Sequence, residues 1–353
     1  MNISPVFDRP DNIPLSETEL VWHTRELPNT TVNPVIARQF SDEVLGGLCR
    51  PAKAIPATWL YDVKGSALFE EISAQPEYYL RRAETTILQA NLPTVREIAG
   101  CGASIIEMGC NPGFNSGSNS CSNTAMLLDA LQASSYAPIN ICPEVLDASV
   151  NALRQRFPDM SFLPQHADFR MPMSLPAAFS GQGRRLAFLP GSTIGSLMPL
   201  ESVVCMQRIR QLLGTDGLLL LGQDTTRAPD ALLPAYDDAM GASAAFNRNL
   251  LTRINRELEG SFDLSKFRHE ARFNHRLGRV EMHLVSGQSQ WVEVSDRAVH
   301  FETGESIHTQ NSYKYSVDEF LALSQSAGWS SLHVWVDHDS RFAVHLLSAG
   351  TRH

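Results

Sequence analysis

Hydroxyl and amide side chains recur in four short segments rich in tyrosine, and these residues are the best suited to chemistry in the chain. The segments are Trp59–Asp62, Pro76–Tyr79, Ala235–Asp238 and Thr309–Tyr315. Such groups align a polar substrate through hydrogen bonds, and no strong general base is evident among them. The 11 histidines are scattered along the chain. HExxH and GxSxG motifs are absent, and no Cys/His cluster has metal-ligand spacing.

Short apolar runs alternate with helical patterns and predict the elements that position these residues. Ser104–Met108, Arg185–Leu189 and Gly217–Leu221 have the composition of buried parallel strands. Leu332–Val336 and Phe342–Leu347 predict a terminal antiparallel hairpin. The succession predicts an α/β fold with a doubly wound parallel sheet, which binds ligands at the carboxyl ends of its strands.

A glycine-containing turn and a long loop follow the first predicted strand. Glu107-Met108-Gly109 ends the first strand and resembles the first motif of SAM-dependent methyltransferases, an acidic residue one position before the glycine. A glycine there lets a ligand approach the backbone closely. The dinucleotide fingerprint GxGxxG is absent, which disfavours NAD and FAD. Asn111–Asn123 is almost wholly turn-forming and predicts a loop.

Leu232–Glu259 and Gly278–His283 closely resemble the substrate-binding insert of the histidine Nα-methyltransferases of the ergothioneine pathway, which use S-adenosylmethionine (SAM). The resemblance runs from about Ala54 to Leu347. It implies a Rossmann-like SAM methyltransferase sheet with a terminal antiparallel hairpin and an inserted α+β substrate-binding domain. We expect three parts: a loose tail at 1–30, a substrate-binding domain at 31–82 and 227–313, and a SAM-binding domain at 83–226 and 314–353.

The resemblance implies SAM-dependent N-methylation of the α-amine of an amino acid. L-histidine is the first expected substrate, with up to three methyl groups added to give the betaine, and no metal takes part. The reaction needs a neutral amine aligned with the sulfonium methyl group, so positioning supplies most of the rate.

The resemblance also assigns residues to the cofactor. Gly109 takes the glycine role at the strand end, with Gly117 as the alternative when counted back from the helix. Asp168 and Phe169 match a pair that brackets adenine, and Gly191 begins the matching loop after the fourth strand. The remaining implied cofactor positions have changed type: Asn123 stands where the family has lysine, and Asn140 where it has the ribose-binding aspartate.

A second set of implied positions would contact the substrate. Tyr61 and Tyr78 are the implied catalytic pair, and Tyr78 and Tyr236 match tyrosines that contact the amino acid. Ser312 is retained, while Ser196 replaces an asparagine and Gln310 replaces a glutamate. Met282 matches a methionine that lines the ring pocket.

These changes leave two alternatives open. The chain could use the same scaffold to methylate another amine or use SAM differently, or it could be a non-catalytic ligand-binding relative. About eight extra residues in the cofactor loop add to the changes, whereas retained Tyr78, Asp168, Tyr236 and Ser312 argue against loss of the site.

Composition limits the partners. The net charge is -9 and the pI about 5.7, which argues against nucleic-acid and anionic-membrane partners. No run approaches the roughly 18 apolar residues of a membrane span, and the first residues lack the pattern of a secretory signal. The six cysteines include no CxxC pair, although Cys110 and Cys121 flank one loop and could approach each other. We expect a cytoplasmic monomer that binds a small amino-acid substrate.

Overall fold

The computed structural model describes residues 33–111, 123–179 and 183–350, which form alternating helices and strands. Its α-helices in these ranges are α1 (Pro34–Leu48), α2 (Val63–Ala74), α3 (Leu80–Ala99), α4 (Asn123–Leu131), α5 (Pro143–Arg156), α6 (Pro199–Leu213), α7 (Pro229–Tyr236), α8 (Ala242–Glu257) and α9 (Val317–Ser326). Its strands are β1 (Ser104–Met108), β2 (Ser135–Asn140), β3 (Ser161–Phe162), β4 (Gln165–His166), β5 (Arg185–Leu189), β6 (Leu218–Asp224), β7 (Phe267–Asn274), β8 (Arg279–Ser286), β9 (Gln290–Val294), β10 (Arg297–Phe301), β11 (Ser306–Tyr313), β12 (Ser330–Val336) and β13 (Phe342–Ser348). The expected tail at 1–30, Gly117 and Cys121 lie outside the described residues.

The main sheet has eight strands, in the order β12-β13-β6-β5-β1-β2-β3, with β4 also paired to β2. Strands β1 to β6 pair in parallel, whereas β13 runs antiparallel to both β6 and β12. Every residue of β1 and β6 is buried, as expected for parallel strands covered on both faces. The predicted α/β sheet and its terminal hairpin are confirmed.

Strand β2 begins earlier than the apolar pattern indicates. The sequence predicts a strand from Pro138 to Ile141, but the strand spans Ser135–Asn140. Tyr136 explains the difference, because its ring is fully buried and its hydroxyl donates a hydrogen bond to Glu107 of β1. A polar tip can be buried in a strand when it finds a partner, and a hydropathy pattern does not show that partner.

A second layer packs over the carboxyl edge of the main sheet. It contains the antiparallel sheet β11-β8-β7, the hairpin β9–β10 and helices α7 and α8. The N-terminal segment joins it, because the Ile55 amide donates to the His308 carbonyl and the His308 amide donates to the Lys53 carbonyl, both at 2.9 Å. These bonds support grouping 31–82 with 227–313. The division into two domains stays a prediction, since one cluster of buried hydrophobic residues extends from Ile36 to Leu346 and includes members of both parts.

Two further properties concern the described residues as a whole. No helix among them combines the length and apolar character needed to cross a membrane. Their cysteines are free thiols, of which Cys110, Cys142 and Cys205 are buried.

Candidate active site

The position of Tyr61 is set by a network that joins the start of α2 to α8. Asp62 caps α2, and its carboxylate also accepts hydrogen bonds from Asn249 at 2.7 Å and from Arg256 at 2.8 Å. The Tyr61 ring meets the Phe246 ring edge-on, with centroids 5.3 Å apart. The start of α2 and helix α8, which are far apart in sequence, therefore jointly fix the position of Tyr61.

The adjacent residues Tyr78 and Tyr79 have different partners. Tyr78 is buried, and Phe69 contacts both its ring and that of Tyr61 edge-on, with centroid distances of 5.9 and 5.5 Å. The Tyr79 hydroxyl donates to the Asp224 carboxylate at 2.8 Å. Tyr78 thus lies in the same pocket as Tyr61, as predicted, whereas Tyr79 bonds to the buried carboxylate of Asp224.

A β-bulge in β11 decides which side chains face the pocket. The register against β8 shifts between His308, which lies opposite His283, and Gln310, which lies opposite Met282. Thr309 is the extra residue, and its hydroxyl donates to Asn247 Oδ1 at 2.6 Å, with the Met282 carbonyl 3.1 Å away. Side chains alternate along a strand, so the bulge puts Gln310 on the buried face with Met282 and leaves the two histidines on the other face.

A buried lysine lies at the centre of the pocket. The side chains of Lys314 and Asp224 are each 0% exposed and form an ion pair. The Lys314 ammonium also donates to the Tyr236 hydroxyl at 2.8 Å and to the Ser312 hydroxyl at 2.9 Å. Burial lowers the pKa of Lys314, but Asp224 and Tyr236 more than compensate, and the pKa lies above its ordinary value. The ammonium stays charged, and all three of its N–H groups are used.

The hydroxyls of Tyr236 and Ser312 also share a hydrogen bond, with their oxygens 2.7 Å apart. Lys314 donates to both oxygens, so neither hydroxyl donates to the lysine. One hydroxyl proton lies in their mutual bond, which leaves the other for an acceptor outside the network. One outward donor beside a buried cation is suited to a carboxylate oxygen.

We call Tyr61, Tyr78, Tyr236 and Ser312 the hydroxyl pocket. Burial raises the pKa of Tyr61 and of Tyr78, and the neighbouring Tyr236 raises both further. The nearby Gln310 side chain opposes the rise in the pKa of Tyr61 without cancelling it. These phenols are therefore neutral near pH 7, where they act as hydrogen-bond donors rather than as bases.

The carboxyl end of β1 has the features of a ligand site. Gly109 has a φ of 75°, and a Cβ placed there would lie 3.7 Å from the Phe169 ring. Asn111 follows closely, and its Oδ1 is buried without a hydrogen-bond partner among the described residues. An orphaned acceptor beside a glycine and an aromatic ring fits a polar ligand that carries a flat base.

Two amides predicted to contact the cofactor are bonded to protein atoms. Asn140 donates to the Cys110 carbonyl at 2.6 Å and accepts from the Cys142 amide at 2.8 Å. Asn123 donates to Glu84 at 2.9 Å, which ties α4 to α3. Both residues shape the surroundings of the strand ends, and their direct contact with the cofactor stays a prediction.

Asp168 lies beside Phe169 as predicted, but its carboxylate already has partners. Its Oδ2 accepts hydrogen bonds from the Arg170 guanidinium at 2.7 and 2.9 Å and from Gln39 at 3.0 Å. Its side chain is 2% exposed. Little acceptor capacity is left for an adenine amine, because a carboxylate has about four lone-pair sites.

The turn after β5 connects the cofactor end to the hydroxyl pocket. Gly191 has a φ of 68° and donates its amide to Glu84 at 2.8 Å. A Cβ on Gly195 would lie only 2.8 Å from the Tyr313 carbonyl, so this turn packs directly on β11. Ser196 ends the turn and donates its hydroxyl proton to a carbonyl within it at 2.7 Å. The Ser196 oxygen therefore remains available only as an acceptor.

No role was predicted from the sequence for three charged residues at the site: Asp224, Lys314 and Glu84. The sequence does contain an indication for Lys314, which lies between Tyr313 and Tyr315 at the end of a strand. A buried lysine needs a partner for its charge. The sequence contains no signal that Asp224 is this partner, because the two residues lie 90 positions apart.

Burial raises the pKa of two carboxyl groups near the cofactor end. The pKa of Glu84 rises to about 7 despite hydrogen bonds from Gly191 and Asn123. That of Glu107 also rises to about 7, although Tyr136 and Thr124 donate to it. Both groups are thus partly protonated at neutral pH.

Comparison with known proteins identifies the family. The family model for histidine-specific, SAM-dependent methyltransferases matches residues 40–349, most of the chain. The chain belongs to this family. This methyltransferase is 34% identical over 331 residues to the histidine N-alpha-methyltransferase of Mycolicibacterium smegmatis, covering 92% of this chain and 99% of the relative.

Two further relatives extend the comparison. The histidine N-alpha-methyltransferase of Mycobacterium tuberculosis is 34% identical over 312 residues, covering 86% of this chain and 93% of its own. A 4-dimethylallyltryptophan N-methyltransferase of Aspergillus fumigatus is 26% identical over 324 residues, covering 87% and 92%. The predicted family, the enzyme class of SAM-dependent N-methyltransferase and the SAM cofactor are confirmed.

Proposed function

We propose that this methyltransferase transfers methyl groups from SAM to the α-amine of L-histidine, up to the trimethyl betaine. The observation that carries the proposal is the hydroxyl pocket, in which Tyr236 and Ser312 contact the buried Lys314 at 2.8 and 2.9 Å. The same pocket holds Tyr61 and Tyr78, which belong to the N-terminal segment. The functions of the relatives with 34% identity support histidine as the substrate.

The substrate carboxylate would bind to the outward hydroxyl proton of the Tyr236–Ser312 pair. Lys314 strengthens this donor, because a cation bonded to both oxygens polarises their O–H bonds. Asp224 balances the lysine charge, so the empty pocket does not bury an uncompensated charge. Tyr236 thereby has the predicted carboxylate role, and Lys314 acts as a positioning residue behind it.

The imidazole ring would lie between Gln310 and Met282, which share the buried face of their strands. Gln310 also lies near the Tyr61 hydroxyl, at the same end of the pocket. The amide oxygen accepts a hydrogen bond from a neutral imidazole N–H but provides no charge to pair with an imidazolium. We infer that the enzyme prefers histidine whose ring is neutral.

The α-amine must present its lone pair to the methyl group, so its N–H groups have to be held by acceptors. The Ser196 oxygen is such an acceptor, because its own proton is used within the turn. The neutral phenols of Tyr61 and Tyr78 line the other side of the pocket. Together they align the nucleophile and exclude water, and alignment is the main contribution this reaction needs.

SAM supplies the electrophilic methyl group, and residues at the ends of β1 and β5 would hold it. Gly109, Phe169 and the orphaned Asn111 Oδ1 fit this role by their geometry. Gly191 borders the same region, with Glu84 fixing its amide. The Rossmann-like fold places these groups at the carboxyl edge of the sheet, where such folds bind their ligands.

Calorimetric titration tests the proposal in two steps. The protein is titrated with SAM, and then with L-histidine in the presence of S-adenosylhomocysteine. We expect both ligands to bind, with histidine binding strengthened by the cofactor product. SAM binding without histidine binding would remove histidine as the substrate, and no binding of SAM would overturn the assigned cofactor site.

One observation favours a second candidate, the α-amine of a different aromatic amino acid. Gln310 is neutral where the family has a glutamate, which weakens selection for a basic ring. Relatives with 26% identity include an enzyme named for a tryptophan derivative. A screen of aromatic amino acids by the same titration separates the two candidates.

We also propose that the enzyme is a cytoplasmic monomer with the two domains described above. The free thiols among the described residues support a reducing compartment. Light scattering of the purified protein checks the monomer, and limited proteolysis checks the domain boundaries near residues 82, 227 and 313.

A further inference from the structure

The outward face of the β7–β8–β11 sheet carries a cluster that the methyl-transfer site does not use. Glu281 and His283 of β8 lie next to His308 of β11, and one potential ligand atom from each lies within 4.8 Å of the others. The two imidazole rings stack with centroids 4.9 Å apart and 18° between their planes. The bulge at Thr309 produces this arrangement, since it keeps His308 on the outer face while Gln310 faces the pocket.

Each imidazole has a nitrogen beside an uncharged protein oxygen that can hold its N–H group. His283 Nδ1 lies 3.1 Å from Ser306 Oγ, and His308 Nε2 lies 3.0 Å from the Gln310 carbonyl. Metal binding requires the protons on these nitrogens, so that His283 Nε2, which faces Glu281, gives up its proton and both rings present a lone pair. Histidines that bind metals are oriented in this way, by donating their second N–H to a protein acceptor.

The carboxylate is held in the same manner. Glu281 Oε1 accepts from Arg279 at 2.7 Å and from Asn274 at 2.9 Å, while Oε2 faces His283 Nε2 at 3.2 Å. The arrangement thus brings a carboxylate oxygen and imidazole nitrogens together, which are donor types that Zn²⁺ binds.

A fourth oxygen lies beside the cluster. Asn311 pairs with Glu281 in the register of the two strands and neighbours His308. Its Oδ1 is buried and has no hydrogen-bond partner among the described residues. A buried amide oxygen without a partner is rare, and a bound cation would satisfy it.

We propose that Glu281, His283 and His308 bind a divalent transition metal of the Zn²⁺ type, which ties β8 to β11 behind the substrate pocket. Two nitrogens and one oxygen suit Zn²⁺, Co²⁺ or Ni²⁺ rather than Mg²⁺ or Ca²⁺. Zinc lies about 2.0–2.1 Å from such ligands, which places tetrahedral ligand atoms about 3.3 Å apart. Atoms that now lie up to 4.8 Å apart must therefore approach by about 1.5 Å. The positively charged Arg279 guanidinium stays bonded to Glu281, and its repulsion of the metal ion keeps the metal affinity moderate.

The metal would have a structural role. Met282, Gln310 and Ser312 lie on the same two strands but on the opposite face, so no metal atom would reach the substrate. A sequence search for ligand spacing does not find this site, because its residues come from two strands and His308 depends on the bulge. We expect metal to raise the melting temperature without being required for SAM binding.

The test uses full-length protein without an affinity tag, treated with a chelator and then titrated calorimetrically with ZnCl₂. Wild type should bind one Zn²⁺ per chain, and Co²⁺ should give a visible absorption band. His283→Gln and His308→Gln should each weaken Zn²⁺ binding at least tenfold. His333→Gln is the matched control, since His333 is an exposed histidine on β12 and its replacement should leave binding unchanged.

Contrary outcomes are equally defined. Absence of a Co²⁺ band in wild type, or no Zn²⁺ binding above that of Mg²⁺, overturns the proposal. Equal losses in His333→Gln and His308→Gln would assign the binding to other histidines. If the histidine variants do not fold, Glu281→Gln and the wild-type Co²⁺ spectrum decide the matter, because the spectrum needs no variant.

Discussion

The Lys314 ammonium lies 2.8 Å from the Tyr236 hydroxyl while forming an ion pair with Asp224, and neither charged side chain is exposed to solvent. Desolvating two charges costs several kcal/mol, on the order of the stability of a domain, unless other hydrogen bonds compensate. Here Tyr79 donates to Asp224, while Tyr236 and Ser312 accept from Lys314. The network therefore holds both hydroxyls in one geometry.

Replacing the lysine alone should destabilise the fold. In Lys314→Met the Asp224 carboxylate stays buried without its cation, which costs about 3–5 kcal/mol. Urea unfolding measures the loss. The double variant Lys314→Met/Asp224→Asn is the control, and it should recover part of the stability because no unpaired charge remains. Equal stabilities for the single and double variants would contradict the importance of the ion pair.

Removing the Tyr236 hydroxyl should weaken substrate binding more than it slows the reaction. A hydrogen bond to a charged group contributes about 1.5–3 kcal/mol, so Tyr236→Phe should raise the KM for histidine roughly tenfold or more. Steady-state kinetics measure the change. Tyr315→Phe is the matched control, because the Tyr315 hydroxyl is buried without a hydrogen-bond partner among the described residues. An unchanged KM in Tyr236→Phe would exclude the carboxylate role.

Exchanging the amide of Gln310 should change how activity depends on pH. With glutamine the substrate imidazole must be neutral, so kcat/KM for histidine should fall below about pH 6.5, the ordinary imidazole pKa. Gln310→Glu pairs with the imidazolium, and should raise kcat/KM about fivefold at about pH 6 through a charge-assisted bond. Gln325→Glu, on the exposed side of α9, is the control. If kcat/KM for histidine depended on pH in the same way in wild type and Gln310→Glu, another residue would set the preference for a neutral imidazole.

Stability should depend on pH through Glu107. Its pKa is raised to about 7 in the folded protein, so between about pH 4.5 and 7 the folded state binds a proton that the unfolded state has released. The stabilisation from this proton is complete below the pKa that Glu107 has in the unfolded protein. It is lost as the pH rises through about 7, the pKa in the folded protein. The stability of wild type relative to Glu107→Gln should thus fall by up to about 1.4 kcal/mol per pH unit across this window.

Unfolding in urea at several pH values measures the difference in free energy of unfolding between wild type and Glu107→Gln. The contributions of other titrating groups cancel in this difference. Glu302→Gln changes an exposed carboxyl and should follow wild type. A constant difference between wild type and Glu107→Gln would mean that Glu107 is ionised throughout the range.

The sequence predicted the sheet because its strands are marked by continuous apolar runs. β5 has the expected bounds, and the terminal hairpin lies where the pattern put it. Tyr61, Tyr78 and Gln310, and Ser312 through Tyr236, lie near one another, and each belongs to a segment with a recognisable signature. Their roles in binding and catalysis stay predictions.

Side-chain partners were less predictable. Asp168 is where it was expected, yet Arg170 and Gln39 occupy its carboxylate, and neither was a visible candidate. Asn140 is the last residue of its strand, one position before the predicted end, and its amide bonds to the backbone of Cys110 and Cys142. These partners depend on side-chain direction and on contacts between distant segments, which one sequence does not encode in its local pattern.

The most direct test of the central claim is mass spectrometry of L-histidine incubated with SAM and the purified enzyme. We expect histidine that carries one to three added methyl groups, with fragmentation placing all of them on the α-nitrogen. Histidine that stays unmethylated, or that is methylated on the imidazole ring, while the protein still binds SAM would contradict it.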